Sequence, residues 1–243
     1  MSVLGRLVGV GLGPGDPDLL TVKAVRALEA APVIGYFAKA GRRGVARGIA
    51  DRWIPAGAEE LPLHYPVTTE IPFDHPDYRA QLAGFYGEAA ALLATRLASG
   101  RDVALLCEGD PLFYGSFMHV YVRLRERFPC LIVPGVTGMS GCWMAAGEPM
   151  TWGDDVLTVV PGTLEAAPLR ARLAGADAVV VMKLGRNLPK VRAALAAAGL
   201  LERAVYVERG TMEAERVMPL ADRGDDEAPY FSVVLVPGRG RRP

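Results

Sequence analysis

The sequence has little cysteine, little histidine and no excess of charge, and each shortage argues against a class of function. Its three cysteines, Cys107, Cys130 and Cys142, are widely spaced and form no C-x-x-C pair, so neither a disulfide framework nor a cysteine zinc site is expected. The three histidines also lack metal-ligand spacing. Lys+Arg and Asp+Glu each number 27, and the formal net charge of zero provides no overall field to attract nucleic acid or an anionic membrane.

Long apolar segments are missing as well. No stretch approaches the ~18 uncharged apolar residues that a membrane span needs. Residues 1–13 are apolar, but they reach Pro14 without the small-residue cleavage site of a signal peptide. We therefore expect a cytoplasmic protein in a reducing compartment, with no membrane, nucleic acid or metal as a partner.

The composition that remains is that of a folded protein. Hydrophobic residues make up 51% of the chain and charged residues 22%, which is close to the globular average. A length of 243 residues suffices for one large α/β domain or for two domains of ordinary size. The 27 cations comprise 4 lysines and 23 arginines, a bias that either suits carboxylate and phosphate ligands or reflects genomic composition.

Apolar strand patterns alternate with helical patterns along the chain, which predicts an α/β fold with a parallel sheet. Thr21 is placed to cap the first helix, Gly100 to end a long one, and the proline-rich residues 55–76 are predicted to be irregular. A break at Phe128 and Pro129 predicts two domains, residues 1–127 and 128–243. The predicted strands lie near residues 6–11, 32–37, 102–107, 131–133, 156–160, 178–182, 204–208, 216–218 and 231–236, and the predicted helices near residues 20–31, 77–99, 116–127, 164–174 and 188–198.

The glycine-rich turn after the first strand invites a dinucleotide-binding interpretation, which the spacing contradicts. A G-x-G-x-x-G motif that starts at Gly9 requires glycine where Pro14 stands, and one that starts at Gly11 requires glycine where Asp16 stands. The acidic side chain of Asp16 would also repel a pyrophosphate. No Walker motif occurs in the sequence. The turn is therefore either a tight connection without a ligand or a site for a different cofactor.

A second turn, Glu108 to Pro111, follows a buried apolar strand. Carboxylates at the carboxyl end of a strand lie where open α/β sheets bind ligands, and they favour a cationic or hydroxyl-bearing ligand over a phosphate. S-adenosylmethionine has an amino group, a ribose diol and a sulfonium, so it satisfies both requirements. The alternative is purely structural, with Asp110 starting a type I turn that has Pro111 at its favoured position.

Together with a third glycine-rich turn, these segments resemble the tetrapyrrole methylase family over nearly the whole chain. The resemblance implies two α/β domains of that family's own type, with S-adenosylmethionine in the cleft between them and a tetrapyrrole as the methyl acceptor. It also implies a homodimer. The segments that carry it are GLGPGDP at residues 11–17, EGDPLFYG at 108–115, PGVT at 134–137, VMK at 181–183 and ERGT at 208–211.

Four segments further resemble the family members that methylate carbon 20 of precorrin-2, which gives precorrin-3A in cobalamin biosynthesis. The segments are residues 109–117, 207–212 and 229–232, and Tyr36 with the basic loop after it, which contains Lys39, Arg42, Arg43 and Arg47. Three alternatives stay open: the same reaction on the cobalt-containing precursor cobalt-factor II, another tetrapyrrole methylase, and a non-catalytic sensor of S-adenosylmethionine or a tetrapyrrole. No catalytic residue is assigned, although Tyr36, Tyr114 and Glu108 are conceivable bases.

The resemblance also implies which residues bind the ligands. Where many relatives have alanine this chain has Gly138 and Gly210, so the packing against an adenine does not carry over. The alternative to a cofactor contact for Met182 is a structural role at the end of a core strand. The alternative to substrate binding for the basic loop is a solvated surface. The expected cofactor contacts are Pro14, Glu108, Gly109, Asp110, Phe113, Thr137, Gly138, Met182, Gly210 and Ser232, and the expected substrate contacts are Tyr36, Arg42 and Arg43.

Overall fold

The computed structural model describes residues 3–66, 76–224 and 227–240, and it divides into two compact units, Met1–Thr137 and Gly138–Pro243. Within the described residues each unit has one five-stranded sheet with helices packed on it. The predicted α/β class is thereby confirmed.

The first unit is built on a parallel sheet with the strand order β3-β2-β4-β1-β5. Its central strands are uninterrupted apolar runs, as expected where helices cover both faces of a sheet. The strands are β1 (Leu7–Gly11), β2 (Val33–Lys39), β3 (Glu59–Tyr65), β4 (Val103–Cys107) and β5 (Cys130–Val133), and the helices are α1 (Val22–Glu29), α2 (Val45–Ile49), α3 (Pro76–Ala98) and α4 (Phe117–Leu124).

The core on one face of this sheet joins the strands to α3 and α4. Leu7 and Val103 pack there with Leu93 of α3 and Phe117 of α4. Gly9 allows the closest approach, because a Cβ at this position would lie 2.4 Å from the Phe117 ring. The tight packing holds the strands in register, and their carboxyl ends reach the same edge of the sheet.

The second unit has a mixed sheet with the order β6-β7-β10-β8-β9, in which only β6 and β7 pair in parallel. Helices α6 and α7 pack on one face of it, while α5 packs against β8 and β10. The strands are β6 (Leu157–Pro161), β7 (Ala178–Met182), β8 (Val205–Glu208), β9 (Arg216–Pro219) and β10 (Ser232–Val236), and the helices are α5 (Gly138–Ala146), α6 (Ala166–Leu173) and α7 (Leu188–Ala197).

Most predicted elements are present near their expected positions, including the Thr21 cap, which accepts a hydrogen bond from the Ala24 amide at 3.1 Å. The prediction that residues 55–76 are irregular is wrong for β3, and the prediction falls partly on residues 67–75, which lie outside the described part of the chain. In β3 only Leu61 and Leu63 are buried, and Pro62 is tolerated because β3 is an edge strand. Helices α2 and α5 were not predicted from the sequence.

The sequence predicts a domain boundary after Arg127, whereas the two units of the structure divide after Thr137. The reason is that β5 pairs with β1 from Leu7 opposite Cys130 to Val10 opposite Val133. The break at Pro129 therefore starts the last strand of the first sheet and does not separate the units. The predicted parallel sheet is confirmed for the first unit only, because the second sheet is mixed.

Candidate functional site

The three glycine-rich turns of the first unit follow β1, β4 and β5, which are neighbours in the sheet, and their backbones interlock. The Gly109 amide donates to the Gly13 carbonyl at 2.8 Å, and the Gly13 amide donates back at 3.3 Å. A Cβ on Gly135 would lie 2.1 Å from the Gly109 carbonyl oxygen, and one on Gly11 would lie 2.5 Å from the Gly135 nitrogen. Glycine is required at these positions because backbone meets backbone without room for a side chain.

Asp110 ties two of these turns together. Its Oδ1 accepts a hydrogen bond from the Leu112 amide at 2.9 Å, and its Oδ2 accepts one from the Gly135 amide at 3.1 Å. The first bond closes the turn at Pro111, and the second links the turn after β4 to the turn after β5. Both oxygens of this predicted cofactor ligand therefore serve the local structure.

Glu108 lies at the carboxyl end of β4, on the side of the sheet where α2 packs. Its Oε1 accepts a hydrogen bond from the Ala46 amide at 3.1 Å, in the first turn of α2. Part of the side chain is open to solvent, but the surrounding protein desolvates the carboxylate and raises its pKa.

Tyr36, predicted to contact substrate, is buried beneath the start of α2 with 9% of its surface exposed. Its hydroxyl donates to Glu60 Oε2 at 3.1 Å, and Arg47 binds the same carboxylate through two nitrogens at 2.6 and 2.9 Å. Burial, together with the Glu60 hydrogen bond, raises the pKa of Tyr36. The Arg47 guanidinium holds the pKa of Glu60 below its usual range. The phenol is thereby committed to this network.

The two predicted substrate arginines differ in their surroundings. Arg43 forms an ion pair with Asp51, which Arg47 also binds at 2.7 Å. For Arg42 no ion pair is found within the described ranges, and only its main chain is engaged, donating to the Lys39 carbonyl at 3.0 Å. Arg42 therefore retains a guanidinium that can meet a ligand carboxylate.

The candidate residues of the second unit gather at one edge of its sheet. Met182 ends β7, Ser232 begins β10 opposite Glu208, and Gly210 follows β8 by two residues. The Ser232 hydroxyl is buried and donates to the Pro229 carbonyl at 2.6 Å, so it shapes the start of β10. Met182 is half-buried and packs against the core beside α5, and its carbonyl accepts from the Gly162 amide at 2.6 Å.

Helix α5 packs behind Gly210. A Cβ on Gly210 would lie 3.1 Å from both Cα and Sγ of Cys142, so glycine fits the cysteine on this helix. Burial raises the pKa of the Cys142 thiol to about 12, and the thiol is inert. A Cβ on Gly138, at the start of α5, would meet no atom within 4 Å. The two departures from alanine thus have different surroundings: a Cβ at Gly210 would press against Cys142, and one at Gly138 would have open space.

Backbone strain is concentrated in the same turns. Among the described non-glycine residues, positive φ occurs at Tyr114 (56°), Lys183 (56°), Arg209 (51°) and Thr211 (69°). Tyr114 lies in the turn after β4, Lys183 follows β7, and Arg209 and Thr211 flank Gly210 after β8. Such conformations cost about 1–3 kcal/mol each, and they cluster at functional sites in proteins.

Several residues at these sites were not predicted from the sequence. Arg47 was recognised only as part of a basic loop, and Glu60, Asp51 and Cys142 were not assigned a role. The alternating residues of β3 are a signal that would have placed Glu60 on the exposed face of a strand, whereas its contact with Tyr36 depends on how β3 pairs with β2. For the Cys142 contact with Gly210 the sequence carries no signal, because it depends on how α5 packs.

Two other kinds of site are absent from the described part of the chain. No group of three His, Cys, Asp or Glu side chains is arranged to hold a metal ion. No helix there has the length and apolar character needed to cross a membrane.

Comparison with known proteins identifies the family. Residues 6–222 match the family described as Tetrapyrrole (Corrin/Porphyrin) Methylases, a match that includes both sheets apart from β10. The chain belongs to this family. The resemblance based on the glycine-rich turns is confirmed, and the family's methyl donor, S-adenosylmethionine, is the cofactor.

Three curated relatives show which members of the family the chain is similar to. The chain is 59% identical over 240 residues to a Precorrin-2 C(20)-methyltransferase from Sinorhizobium sp, which covers 99% of this chain and 98% of the relative. It is 51% identical to the Cobalamin biosynthesis protein CobIJ from Mycobacterium tuberculosis over 100% of this chain, and it spans about half, 48%, of that relative's length. A Cobalt-precorrin-2 C(20)-methyltransferase from Salmonella typhimurium is 30% identical over 96% of both chains.

A solved structure agrees with this placement. The Uroporphyrin-III C-methyl transferase from Thermus thermophilus, complexed with S-adenyl homocysteine, is 26% identical and superimposes with a TM-score of 0.68. The similarity covers 96% of this chain and 92% of that chain. This methylase and the present chain thus share their fold over nearly their whole length.

Proposed function

We propose that this protein methylates carbon 20 of precorrin-2, using S-adenosylmethionine and producing precorrin-3A and S-adenosylhomocysteine in cobalamin biosynthesis. The observation that carries the proposal is the 59% identity to a Precorrin-2 C(20)-methyltransferase, which extends over 99% of this chain. Because it covers nearly the whole chain, the compared region includes the turns after β1, β4, β5, β7 and β8 as well as the buried strands.

The side chains at these turns fit the cofactor. Glu108 provides a carboxylate that no Lys or Arg pairs with in the described part of the chain, which suits a ligand with an amino group, hydroxyls and a positive sulfur. Phe113 and Met182 are half-buried and offer apolar and polarisable surface for an adenine. We propose that the cofactor contacts Pro14, Glu108, Gly109, Asp110, Phe113 and Thr137 of the first unit and Gly138, Met182, Gly210 and Ser232 of the second.

These residues contribute mainly by positioning. When bound, S-adenosylmethionine supplies an electrophilic methyl group, and its transfer is an in-line displacement in which alignment provides much of the rate enhancement. The interlocked backbones of Gly11, Gly109 and Gly135 hold the turns rigidly at the edge of the sheet. Asp110 keeps the turn after β4 in place through its two amide contacts. Such a rigid frame holds its ligand in one orientation.

For the substrate we propose unequal roles for the three predicted residues. Precorrin-2 carries acetate and propionate side chains, which a guanidinium binds well. Arg42 is proposed as the direct contact, because its guanidinium is not engaged in an ion pair among the described residues. Arg43 and Tyr36 are proposed to shape the loop, since their polar atoms contact Asp51 and Glu60.

The decisive experiment is an anaerobic incubation of the purified protein with precorrin-2 and methyl-labelled S-adenosylmethionine. Mass spectrometry is expected to show one added methyl group, and carbon NMR to place the label on carbon 20. A label on another carbon would contradict the proposal. Turnover also separates an enzyme from a sensor, because a sensor would bind S-adenosylhomocysteine without forming product.

The second candidate is the same reaction on the cobalt-containing precursor. It is favoured by the 30% identity to the Cobalt-precorrin-2 C(20)-methyltransferase of Salmonella typhimurium. Running both acceptors in parallel distinguishes the candidates, and we expect the metal-free acceptor to have the higher kcat/KM, in accordance with the higher identity to the Sinorhizobium protein.

We further propose that the protein works in the cytoplasm as a homodimer. Two of its thiols, Cys107 and Cys142, are buried and unbridged, with pKa values raised by burial, which suits a reducing compartment. Sedimentation equilibrium is expected to give twice the chain mass of 25.9 kDa, and a monomer mass would refute the dimer.

A further inference from the structure

The structure points to Glu108 as the base that removes the proton from carbon 20, and we propose it as a catalytic residue of this reaction. The inference rests on the proposed function. Methyl transfer forms a new carbon–carbon bond at carbon 20 while the carbon–sulfur bond of the donor breaks. Carbon 20 then holds both the methyl group and its original hydrogen, and the macrocycle has gained a positive charge. Glu108 takes this proton, and the electrons of the broken carbon–hydrogen bond return to the macrocycle.

The surroundings of Glu108 suit a proton acceptor. Within the described residues its carboxylate receives hydrogen bonds only from two main-chain amides, those of Ala46 and of Glu108 itself. A carboxylate offers about four acceptor sites, so capacity remains for a proton. The Ala46 contact orients the group, and its exposed side gives a ligand access.

Two other carboxylates close to α2 are engaged by arginines. Glu60 binds Arg47, and Asp51 binds both Arg43 and Arg47. These guanidiniums lower the pKa of each carboxyl, which makes it a weak base. Glu108 has no such partner in the described part of the chain, and although the residue is exposed, desolvation of its carboxylate by the surrounding protein raises its pKa.

The structure also separates Glu108 from Tyr36, one of the two tyrosine candidates. The buried Tyr36 hydroxyl donates a hydrogen bond to Glu60 at 3.1 Å, and its pKa is raised. The phenol therefore keeps its proton at neutral pH and is a poor proton acceptor. The ionisable neighbours of Glu108 along the chain are Cys107, a neutral thiol with a raised pKa, and Asp110, whose oxygens bind main-chain amides. Neither provides a positive charge to Glu108.

The test compares Glu108→Gln with the wild-type protein. Glutamine keeps an oxygen for the Ala46 amide but accepts no proton, so kcat is expected to fall on the order of 10²-fold, the usual effect of losing a general base. Because glutamine also keeps an oxygen for the cofactor contact proposed above, the affinity for S-adenosylhomocysteine, measured by calorimetry, is expected to change less than about threefold. With precorrin-2 deuterated at carbon 20, the kinetic isotope effect is expected to increase in the variant, because proton removal becomes slower. Wild-type kcat is expected to decline at low pH as Glu108 becomes protonated, and this decline is expected to be absent in Glu108→Gln.

The matched control is Glu88→Gln, an exposed glutamate of α3, which is expected to keep wild-type kcat. Unchanged kcat and isotope effect in Glu108→Gln would overturn the inference. Loss of S-adenosylhomocysteine binding with a wild-type isotope effect would also overturn it, by confining Glu108 to the cofactor contact proposed above. If Glu108→Gln does not fold, Glu108→Asp decides: a base withdrawn by one methylene is expected to lower kcat and increase the isotope effect, and wild-type values would overturn the inference. A wild-type protein without product would instead refute the proposed function itself.

Discussion

Asp110 illustrates at the residue scale how a carboxylate in a candidate binding turn acquires a structural role. From the sequence alone, Asp110→Ala is predicted to weaken cofactor binding and to leave the fold intact. In the structure its two oxygens accept hydrogen bonds from the amides of Leu112 and Gly135. Removal of the side chain therefore leaves two main-chain donors without their partner, and stability is expected to suffer along with binding.

We expect Asp110→Ala to lower the free energy of unfolding by roughly 1 kcal/mol, the low end of the range for an unsatisfied buried donor, because the Gly135 contact is part-buried and the Leu112 contact is exposed. Urea denaturation provides the measurement. Asp110→Asn is the matched control, because its amide oxygen can still accept from Leu112 while its NH2 group cannot accept from Gly135, so an intermediate loss is expected. An Asp110→Ala protein with wild-type stability and weakened cofactor binding would show that the role is confined to the ligand.

Arg42 and Arg47 provide a second comparison at this scale. Arg42→Ala is expected to raise the Michaelis constant for precorrin-2 with little change in kcat, the pattern for a contact equally strong in ground and transition states. Arg47→Ala is expected to lower stability by about 1 kcal/mol, because its partner Glu60 is partly exposed and the pair is screened by solvent. Steady-state kinetics at low salt and thermal unfolding test the two expectations. Unchanged kinetics of Arg42→Ala would make the loop a solvated surface.

At the scale of elements, three turns at the carboxyl ends of neighbouring parallel strands form one connected structure. The turns after β1, β4 and β5 touch through glycine backbones, so the geometry of each depends on the other two. One strained non-glycine residue, Tyr114, lies in the turn after β4 of the first unit. The others lie in turns of the second unit, at Lys183, Arg209 and Thr211. The regular strands and helices thus provide the stability that keeps these turns in conformations they would not adopt alone.

This arrangement predicts very different changes in stability when each of two glycines, three positions apart, is replaced by alanine. Gly135→Ala would place a methyl group 2.1 Å from the Gly109 carbonyl oxygen, and we expect it to lower stability by more than the roughly 1–3 kcal/mol typical of overpacking, since backbone cannot move aside as a side chain can. Gly138→Ala meets no atom within 4 Å and is expected to be within about 0.5 kcal/mol of wild type, as surface substitutions usually are. Equal unfolding midpoints for the two variants would contradict the interlocked arrangement.

At the scale of the whole molecule, the zero net charge conceals a local arrangement of ion pairs. On the first unit Glu59 binds Arg96 and Arg101, and the cluster around Arg47 joins Glu60 and Asp51. The arginines lower the pKa of all three carboxyls. A carboxyl whose pKa is lower in the folded than in the unfolded state adds stability above the unfolded value, and this contribution is lost as the pH falls through the folded value.

We therefore expect the melting temperature to fall as the pH drops below about 4, where unfolded Asp and Glu side chains take up protons. Glu108, with a raised pKa, changes stability in the opposite direction, because its protonation favours the folded state. Glu108→Gln is therefore expected to be at least as stable as wild type at neutral pH. Thermal unfolding followed by circular dichroism between pH 3 and 7 tests both statements. A melting temperature that rises steadily towards pH 3 would refute the first.

The sequence by itself determined the α/β class, most of the strands, the three glycine-rich turns and the family, because these depend on local patterns and on short motifs. It did not reveal β3, whose alternating residues and proline suit an edge strand only once β2 is beside it. Nor did it reveal what the site residues touch: Tyr36 meets Glu60 across 24 positions, and Glu108 meets Ala46 across 62. Strand pairing and helix packing bring such residues together, and these contacts decide whether a carboxylate is paired, structural or free to accept a proton. Only the tertiary structure could therefore distinguish Asp110 and Glu60 from Glu108.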